Sequence, residues 1–349
     1  MAKSDNLRKA KEVKNDEFYT RLEDIEAEIS QHKDYVRQFE GKTVFCNCDD
    51  PEWSNFFQFF KLHFKQLKLK KLITTHYNMD GSSSYKLEWE GEMLNDDMVN
   101  LVKTSLTGNG DFRSEECIQI LQEADIVVTN PPFSLFREFV QQLVDYNKKF
   151  IIIGNKNAIA YKEFFPLLRD GKCFVGYNAG NGTMHFATSH TSNGIGEITN
   201  SVPSYWYTNM DLDKTHEPLI LTKNYVGNQD KYPKYYNYNA IDIGAVKDIP
   251  KDYYGVMGVP ITILNAFCPE QFELIGTGSN VPKTLDHVAY KEKNIICYEK
   301  NGLAVWTTPY TVSERKIGNS LRIERNGLPA EAPYNRVLIQ RKLQKEDAE

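Results

Sequence analysis

Four short apolar runs constrain this chain more than anything else in it: "KTVFCN" (42–47), "KKLITT" (70–75), "DIVVTN" (125–130) and "KKFIIIGN" (148–155). Each is nearly continuous in β-branched and aromatic residues, so each reads as a strand buried on both faces. The segments between them have helical spacing. "EWSNFFQFFKLHFKQL" puts Trp53, Phe56, Phe57, Phe60, Phe64 and Leu67 on one face. "SLFREFVQQLVDY" does the same with Leu135, Phe136, Phe139, Val140, Leu143 and Val144. Strand alternating with helix predicts an α/β fold with a parallel sheet covered on both sides.

Other elements fit around this frame. Residues 17–39 read as one helix with Leu22, Ile25, Ile29 and Val36 on its stripe. Asp50 is expected to cap the helix after the first strand, with Pro51 at its first position. Residues 78–100 read as an irregular polar excursion, and "VKTSLTGNGDFRS" as a third strand closing on a glycine-rich turn. Ser114 is expected to cap the next helix. "AYKEFFPLLRDG" predicts a short helix and "KCFVGY" a sixth strand. From about residue 178 the alternation stops, and Gly, Asn, Ser, Thr and Tyr dominate. A boundary is expected near 177–210. It would divide a catalytic domain (1–205, with a mobile segment 1–16) from an α+β or β-rich region (206–349).

Composition excludes several classes. The 349 residues are 41% hydrophobic and 26% charged, which suits a globular protein with a substantial core. No run approaches the length of a membrane span, and "MAKSDNLRKAKEVKND" lacks the apolar core of a signal peptide, so a cytoplasmic protein is expected. The six cysteines are scattered, which argues against a disulfide framework. Cys46 and Cys48 have no matching pair of ligands elsewhere, so no metal site is expected. Net charge is −5, but nucleic-acid binding needs only a local basic stripe. The segments 61–71 and 315–345 offer one each. The second carries Arg315, Lys316, Arg322, Arg325, Arg336, Arg341, Lys342 and Lys345.

In parallel sheets, ligands sit beyond the carboxyl ends of the strands. That places Asn47–Asp50, Thr74–Tyr77, Gly108–Asp111 and Asn130–Phe133 on one rim. At the last of these, Pro131 and Pro132 fix their own φ, and Pro131 holds Asn130 out of the helical region. The segment leaves the sheet stiff and extended. It carries an amide side chain, at least one bare carbonyl and the flat ring of Phe133. These make a receptor for a planar group bearing an NH2. Taken alone, Asn-Pro is also a common turn opener. His76 reads as a polar filler, and the aromatics of "SYWYTNMD", Trp206 included, as core of the second region.

The NPP-aromatic segment after the fourth strand resembles the signature of S-adenosylmethionine-dependent methyltransferases that act on amino groups. "DEFYT", "CNCDDPEWSNFF", "GDFRS", "DIVVTNPPFSLF", "YPKYYNY" and "YGVMGVPIT" together resemble the EcoRI-type adenine-specific DNA methyltransferases, from about residue 10 to about 275. The resemblance implies a Rossmann-like methyltransferase sheet followed by a target-recognition region. It implies S-adenosylmethionine as cofactor and double-stranded DNA as partner, with methyl transfer to N6 of an adenine flipped out of the duplex. Asn130 and the Pro131 carbonyl would accept from the amino group, Pro132 would keep the turn rigid and Phe133 would stack on the base. Phe18, Tyr19 and Thr20 would close over the methionine part of the cofactor. Asn47 would lie at the cofactor, and Asp49 or Asp50 would meet its ammonium. Asp111 and Phe112 would hold its adenine, with Asn130 between cofactor and base. The motif order resembles the gamma-type arrangement, in which Arg322, Arg325 or the tyrosines around Tyr235 contact DNA. Tyr235 could equally pack in a core. A monomer is implied, as is a cognate restriction endonuclease that acts separately.

Two usual features are missing. "CNCDDP" has no glycine after the first strand, and "ITTHYNMD" offers only Asp80 as a late acid after the second. RNA adenine or a protein glutamine remain alternative substrates, because an amide also presents an NH2. A non-catalytic DNA-binding protein is the rival from another class.

Overall fold

The computed structural model describes residues 19–48, 51–52, 54–78, 81, 83–91, 99–177, 183–187, 202–235, 238–278, 297–298, 305–306, 322–325, 328–331 and 336–343. The chain forms two compact units. One comprises residues up to 159 and 173–213, and the other 160–172 and 214–349.

The first unit contains strands β1 (Tyr19–Thr20), β2 (Thr43–Cys46), β3 (Lys71–Thr75), β4 (Tyr85–Gly91), β5 (Val99–Ser105), β6 (Ile126–Thr129), β7 (Lys149–Asn155), β8 (Phe174–Val175), β9 (Phe186–Ala187) and β10 (Ser204–Thr208). Its helices are α1 (Leu22–Ile29), α2 (Tyr35–Phe39), α3 (Asn55–Leu62), α4 (Glu115–Glu123) and α5 (Phe136–Asp145). Eight strands form one mixed sheet in the order β5-β4-β3-β2-β6-β7-β10-β8. Its centre, β3-β2-β6-β7, is parallel. Every residue of β2 and β6 is buried, as expected for strands covered on both faces. Helix α3 buries Phe56, Phe57, Phe59 and Phe60, and α5 buries Phe136, Phe139, Val140 and Leu143. These faces fill the layers against the sheet. Gly154 on β7 is glycine because an added Cβ would meet the Phe136 ring at 2.3 Å.

Several expectations change. The helix expected over 17–39 is two helices, and Asp34 turns the chain between them at φ 43°. The cap of α3 is Ser54, whose Oγ accepts from Phe57 N at 3.2 Å; Asp50, expected in that role, lies outside the described residues. Pro51 lies in a turn before the helix. Ser114 does cap α4, accepting from Cys117 N at 3.3 Å. The polar stretch 78–100 contains β4, which pairs antiparallel with β3 and with β5. Charged side chains on an outer strand hid its alternation. The aromatics of "SYWYTNMD" form β10, antiparallel to β7 and β8. Trp206 is therefore core of the first sheet, fully buried and edge-on to Phe56 at 6.0 Å. A division at 205/206 would fall within this strand.

In the second unit, β11 (Ala240–Asp242), β12 (Val256–Pro260), β13 (Phe272–Thr277) and β14 (Arg336–Arg341) form a sheet in the order β11-β12-β14-β13. Helix α6 (Phe165–Arg169) packs on β13. The interior of this unit is partly polar. Arg336 donates to both carboxylate oxygens of Asp242, at 2.8 and 3.2 Å, and Tyr235 donates its hydroxyl to the same carboxylate at 2.5 Å. All three side chains are buried. Burial, and then the Asp242 charge, push the Tyr235 phenol far up.

No helix among the described residues is long and apolar enough to cross a membrane. Arg336→Ala leaves the Asp242 carboxylate buried without its cation, so a loss of about 3 kcal/mol in unfolding free energy is expected. Urea denaturation checks this; a midpoint equal to wild type would remove the pair as a structural anchor.

Candidate functional site

The sheet brings the four predicted segments to one rim. Strands β2, β3 and β6 run parallel, so Asn47, His76 and Asn130 follow their ends on the same side. β5 is antiparallel to β4, which is antiparallel to β3. Two reversals restore the direction, and Gly108–Asp111 reach the same rim. The strand order turns back between β2 and β6, and that crevice is where open α/β sheets hold ligands. Asn47 and Asn130 stand on its two sides.

A side-chain bond fixes their spacing. Thr129, the last residue of β6, donates its hydroxyl to the Asn47 carbonyl. Asn47 is only 2% exposed, and its Oδ1 has no hydrogen-bond partner among the described residues. A buried carboxamide oxygen left open at a ligand crevice is an acceptor in waiting. The next turn lacks glycine, yet Cys48 adopts φ 60°. Cys48 thus takes the left-handed conformation that a glycine usually supplies, at a cost of about 1 kcal/mol.

The Asn-Pro-Pro-Phe segment leaves the sheet as a short, tightly turned connection. Pro131 is buried and Asn130 half-buried. Pro132 sits at φ −55°, ψ 124°, and its carbonyl accepts from Leu135 N at 3.0 Å, closing a single 3-10 turn over Phe133–Leu135. No group among the described residues donates to the Pro131 carbonyl. The Phe133 ring is half-buried and packs against the core of the first unit, which fixes its plane. Helix α5 follows at once and anchors the turn through Phe136.

The third and fourth segments are laced together. Asn78 N donates to Asn109 O at 2.7 Å, and Ser84 N to Gly108 O at 2.9 Å. Gly110 has φ 81°, and a Cβ there would strike the His76 carbonyl. His76 is a structural residue: Nδ1 lies 2.9 Å from Ser84 Oγ, and the ring stacks on Tyr85 at 5.0 Å. Asp111 lies on the rim, and its carboxylate already accepts from Arg113 N, Nε and Nη2, at 2.9, 2.9 and 2.7 Å. The Arg113 hydrogen bonds hold the Asp111 carboxyl below its usual range. Phe112 is 5% exposed and edge-on to Phe139 at 5.1 Å, so its ring belongs first to the core.

The segment before the sheet also reaches this region. Tyr19 and Thr20 pair with Ala187 and Phe186, and Asn55 Nδ2 donates to Thr20 O at 2.7 Å. Asn55 is the first residue of α3, which places Thr20 beside the chain that leaves the rim after Asn47. Sequence reasoning missed Asn55, Thr129 and the conformation of Cys48. Their one visible signal was position, at a helix start, a strand end and a turn without glycine.

Phe18, Asp49 and Asp50 lie outside the described residues. Arg322 and Arg325 begin and end a strand that pairs with Leu328–Glu331. Tyr235 requires a correction. It was a candidate for DNA contact, but it is 5% exposed and its hydroxyl is committed to Asp242, so it packs and braces the second unit. Among the described residues, no cluster of His, Cys, Asp and Glu could hold a metal ion.

The reversing sheet, with the Asn-Pro-Pro-Phe segment on its shared rim, is that of a Rossmann-like methyltransferase. Comparison with known proteins gives the particular family. The profile described as "Adenine-specific methyltransferase EcoRI" matches residues 6–342, and the chain belongs to this family of adenine-specific methyltransferases. It is 47% identical over 291 residues to "Type II methyltransferase M.EcoRI" of Escherichia coli, covering 77% of this chain and 88% of that protein. "Type II methyltransferase M.MgeORF184P" of Mycoplasma genitalium is 41% identical, over 80% of this chain and 89% of its own length. "Type II methyltransferase M.MpnI" of Mycoplasma pneumoniae is 40% identical, over 80% and 87%.

Because the Asp111 pKa is lowered in the folded protein, its pairing stabilises the rim above the ordinary carboxylate range. That contribution is lost as pH falls through the lowered value. Arg113→Ala is expected to raise the Asp111 carboxyl back toward the ordinary carboxylate range. A carbon-13 NMR titration of that carboxyl, unchanged by the substitution, would exclude Arg113 as the cause.

Proposed function

We propose that this methyltransferase transfers the methyl group of S-adenosylmethionine to N6 of an adenine flipped out of double-stranded DNA, at one short sequence. The observation that carries this is the placement, at the reversal of the sheet, of the Pro131 carbonyl and Asn130 beside the packed ring of Phe133. An arylamine is a poor nucleophile because its lone pair is conjugated with the ring. Accepting both N–H protons draws that pair out of conjugation as the new bond forms. The acceptors therefore help most in the transition state. Phe133 offers the flat face on which the base stacks, and Pro131 and Pro132 keep the acceptors from relaxing away. A base within a duplex cannot reach this receptor, so the adenine must leave the stack.

The crevice fits the cofactor. When bound, S-adenosylmethionine supplies an electrophilic methyl group on a sulfonium. The open Oδ1 of Asn47 suits the donor groups of such a molecule, and it lies across the crevice from Asn130. Asp111 is an acid on the same rim, held ready by Arg113. Tyr19 and Thr20 run beside the start of α3, where a segment closing over the methionine part would lie. Phe18, Asp49, Asp50 and Phe112 complete the proposed cofactor set. The proton released from nitrogen passes to solvent after methylation.

The recognition role goes to the chain beyond 206, with Arg322 and Arg325 as proposed DNA contacts. The relatives are named Type II methyltransferases, which suits a partner endonuclease that cuts the same sequence when unmethylated and acts as a separate protein. A monomer working in the cytoplasm completes the proposal. Methyl transfer from labelled cofactor to unmethylated genomic DNA, with single-base sequencing of the product, tests it. N6-methyladenine at one motif is expected. Label on RNA or on protein glutamine instead would overturn the choice of substrate.

Asn130→Ala is expected to lower the rate of methyl transfer by about two orders of magnitude, the usual loss on removing a transition-state hydrogen-bonding group. Cofactor affinity should stay within a few fold, because the missing contact is to the base. Near-normal turnover in this variant would remove Asn130 from the chemistry.

A further inference from the structure

The second unit carries a polar cavity that no part of the methyl-transfer site uses. It measures about 340 Å³ and is lined by Lys223, Asn224, Asn228, Lys231, Tyr232, Gly244 and Asp248. Two lysines and two asparagines share this lining with one aspartate. Lys231 Nζ donates to Asn228 Oδ1 at 2.8 Å, which orients that amide and leaves its NH2 as a donor. Lys223 and Asn224 are exposed at the mouth.

The walls are fixed, although most of the segment is irregular. At one end, buried Gln271 accepts from Leu219 N and donates to Leu219 O, both at 2.8 Å, as a strand neighbour would. At the other end, the Asp252 carboxylate accepts from Tyr225 N and Val226 N at 2.5 and 3.0 Å. The Tyr225 ring lies against Tyr253 at 4.6 Å and Tyr232 at 5.6 Å. Lys223 itself is held by its carbonyl, which accepts from Lys251 N at 2.9 Å. Ile220, between the clamps, is 91% exposed, and Val226, at the second clamp, 68%. A rigid, exposed segment with apolar side chains beside a cationic cavity suits the backbone and groove edge of a nucleic acid better than free solvent.

We propose that this cavity seats a backbone phosphate of the DNA substrate, gripped by Lys223, Lys231 and the Asn228 amide. The assignment rests on DNA being the substrate. Such a contact positions the duplex and carries no sequence information. It differs from a base-reading contact in having equal effect on every sequence.

The test compares wild type with Lys223→Gln/Lys231→Gln on a duplex carrying the methylation motif and on one without it. Both surface changes spare the core. The variant is expected to bind both duplexes about tenfold more weakly at low salt, with the slope of log K against log salt shallower by about one to two. Ethylation interference supplies the readout that general charge loss would not move. One phosphate whose ethylation blocks wild type should become indifferent in the variant. If wild type binds and methylates DNA but the variant keeps its slope and its interference pattern, the cavity is not a phosphate seat. If wild type neither binds nor methylates duplex DNA, the DNA reading fails and takes this assignment with it.

Discussion

The rim of the first sheet depends on a hydrogen bond that belongs to no strand ladder. Thr129 reaches from the end of β6 to the carbonyl of Asn47 at the end of β2. These strands pair in parallel at the place where the sheet order turns back, so their ends would otherwise splay as the sheet twists. The bond closes the floor of the crevice. It also sets the amide of Asn47 on one side and Asn130 on the other. Everything proposed for the chemistry follows from that spacing, since a methyl donor and an amino acceptor must approach across it in line. The proline pair then does for direction what the threonine does for distance.

Much of this was legible in the residues because the signals were local. Continuous apolar strands, two phenylalanine-rich helix faces and two adjacent prolines each state their own geometry. What stayed hidden depended on partners far along the chain. β4 carries Lys86, Glu88 and Glu90, which read as loop residues, but Lys71 on the neighbouring strand gathers Glu88, Glu90 and Glu123 around its ammonium, so the charges are satisfied across strands. β10 reads as foreign to the first sheet because some fifty residues separate it from β7, its partner. Asp50-Pro51 is a good helix start, but a turn intervenes and Ser54 takes the cap. Tyr235 could have faced solvent or core on sequence grounds, and only the position of Asp242 decides between them.

The two units use charge differently. Among the described residues of the rim, Asp111 pairs with Arg113, which in turn lies near Glu138, so that carboxylate is held by directed hydrogen bonds. Among its described residues the second unit buries the Arg336–Asp242 ion pair to hold its sheet and leaves lysines at an open cavity. Preorganised acceptors suit chemistry on one atom, and accessible cations suit a polyanion of any sequence. One chain can thus separate reacting from holding.

The path of the chain has a consequence for its synthesis. Residues 160–172 belong to the second unit although they emerge before the first is finished, and β14, which lies between β12 and β13, is the last strand of its sheet to be made. The ribosome therefore releases a complete methyl-transfer sheet once β10 is out, with a short segment waiting unpartnered on its connection. The other sheet cannot close until a strand from its interior arrives, nearly a hundred residues after β11. During that interval the first sheet is whole while the second still lacks one of its interior strands, so the two units mature in sequence and the later one waits on the far end of the chain.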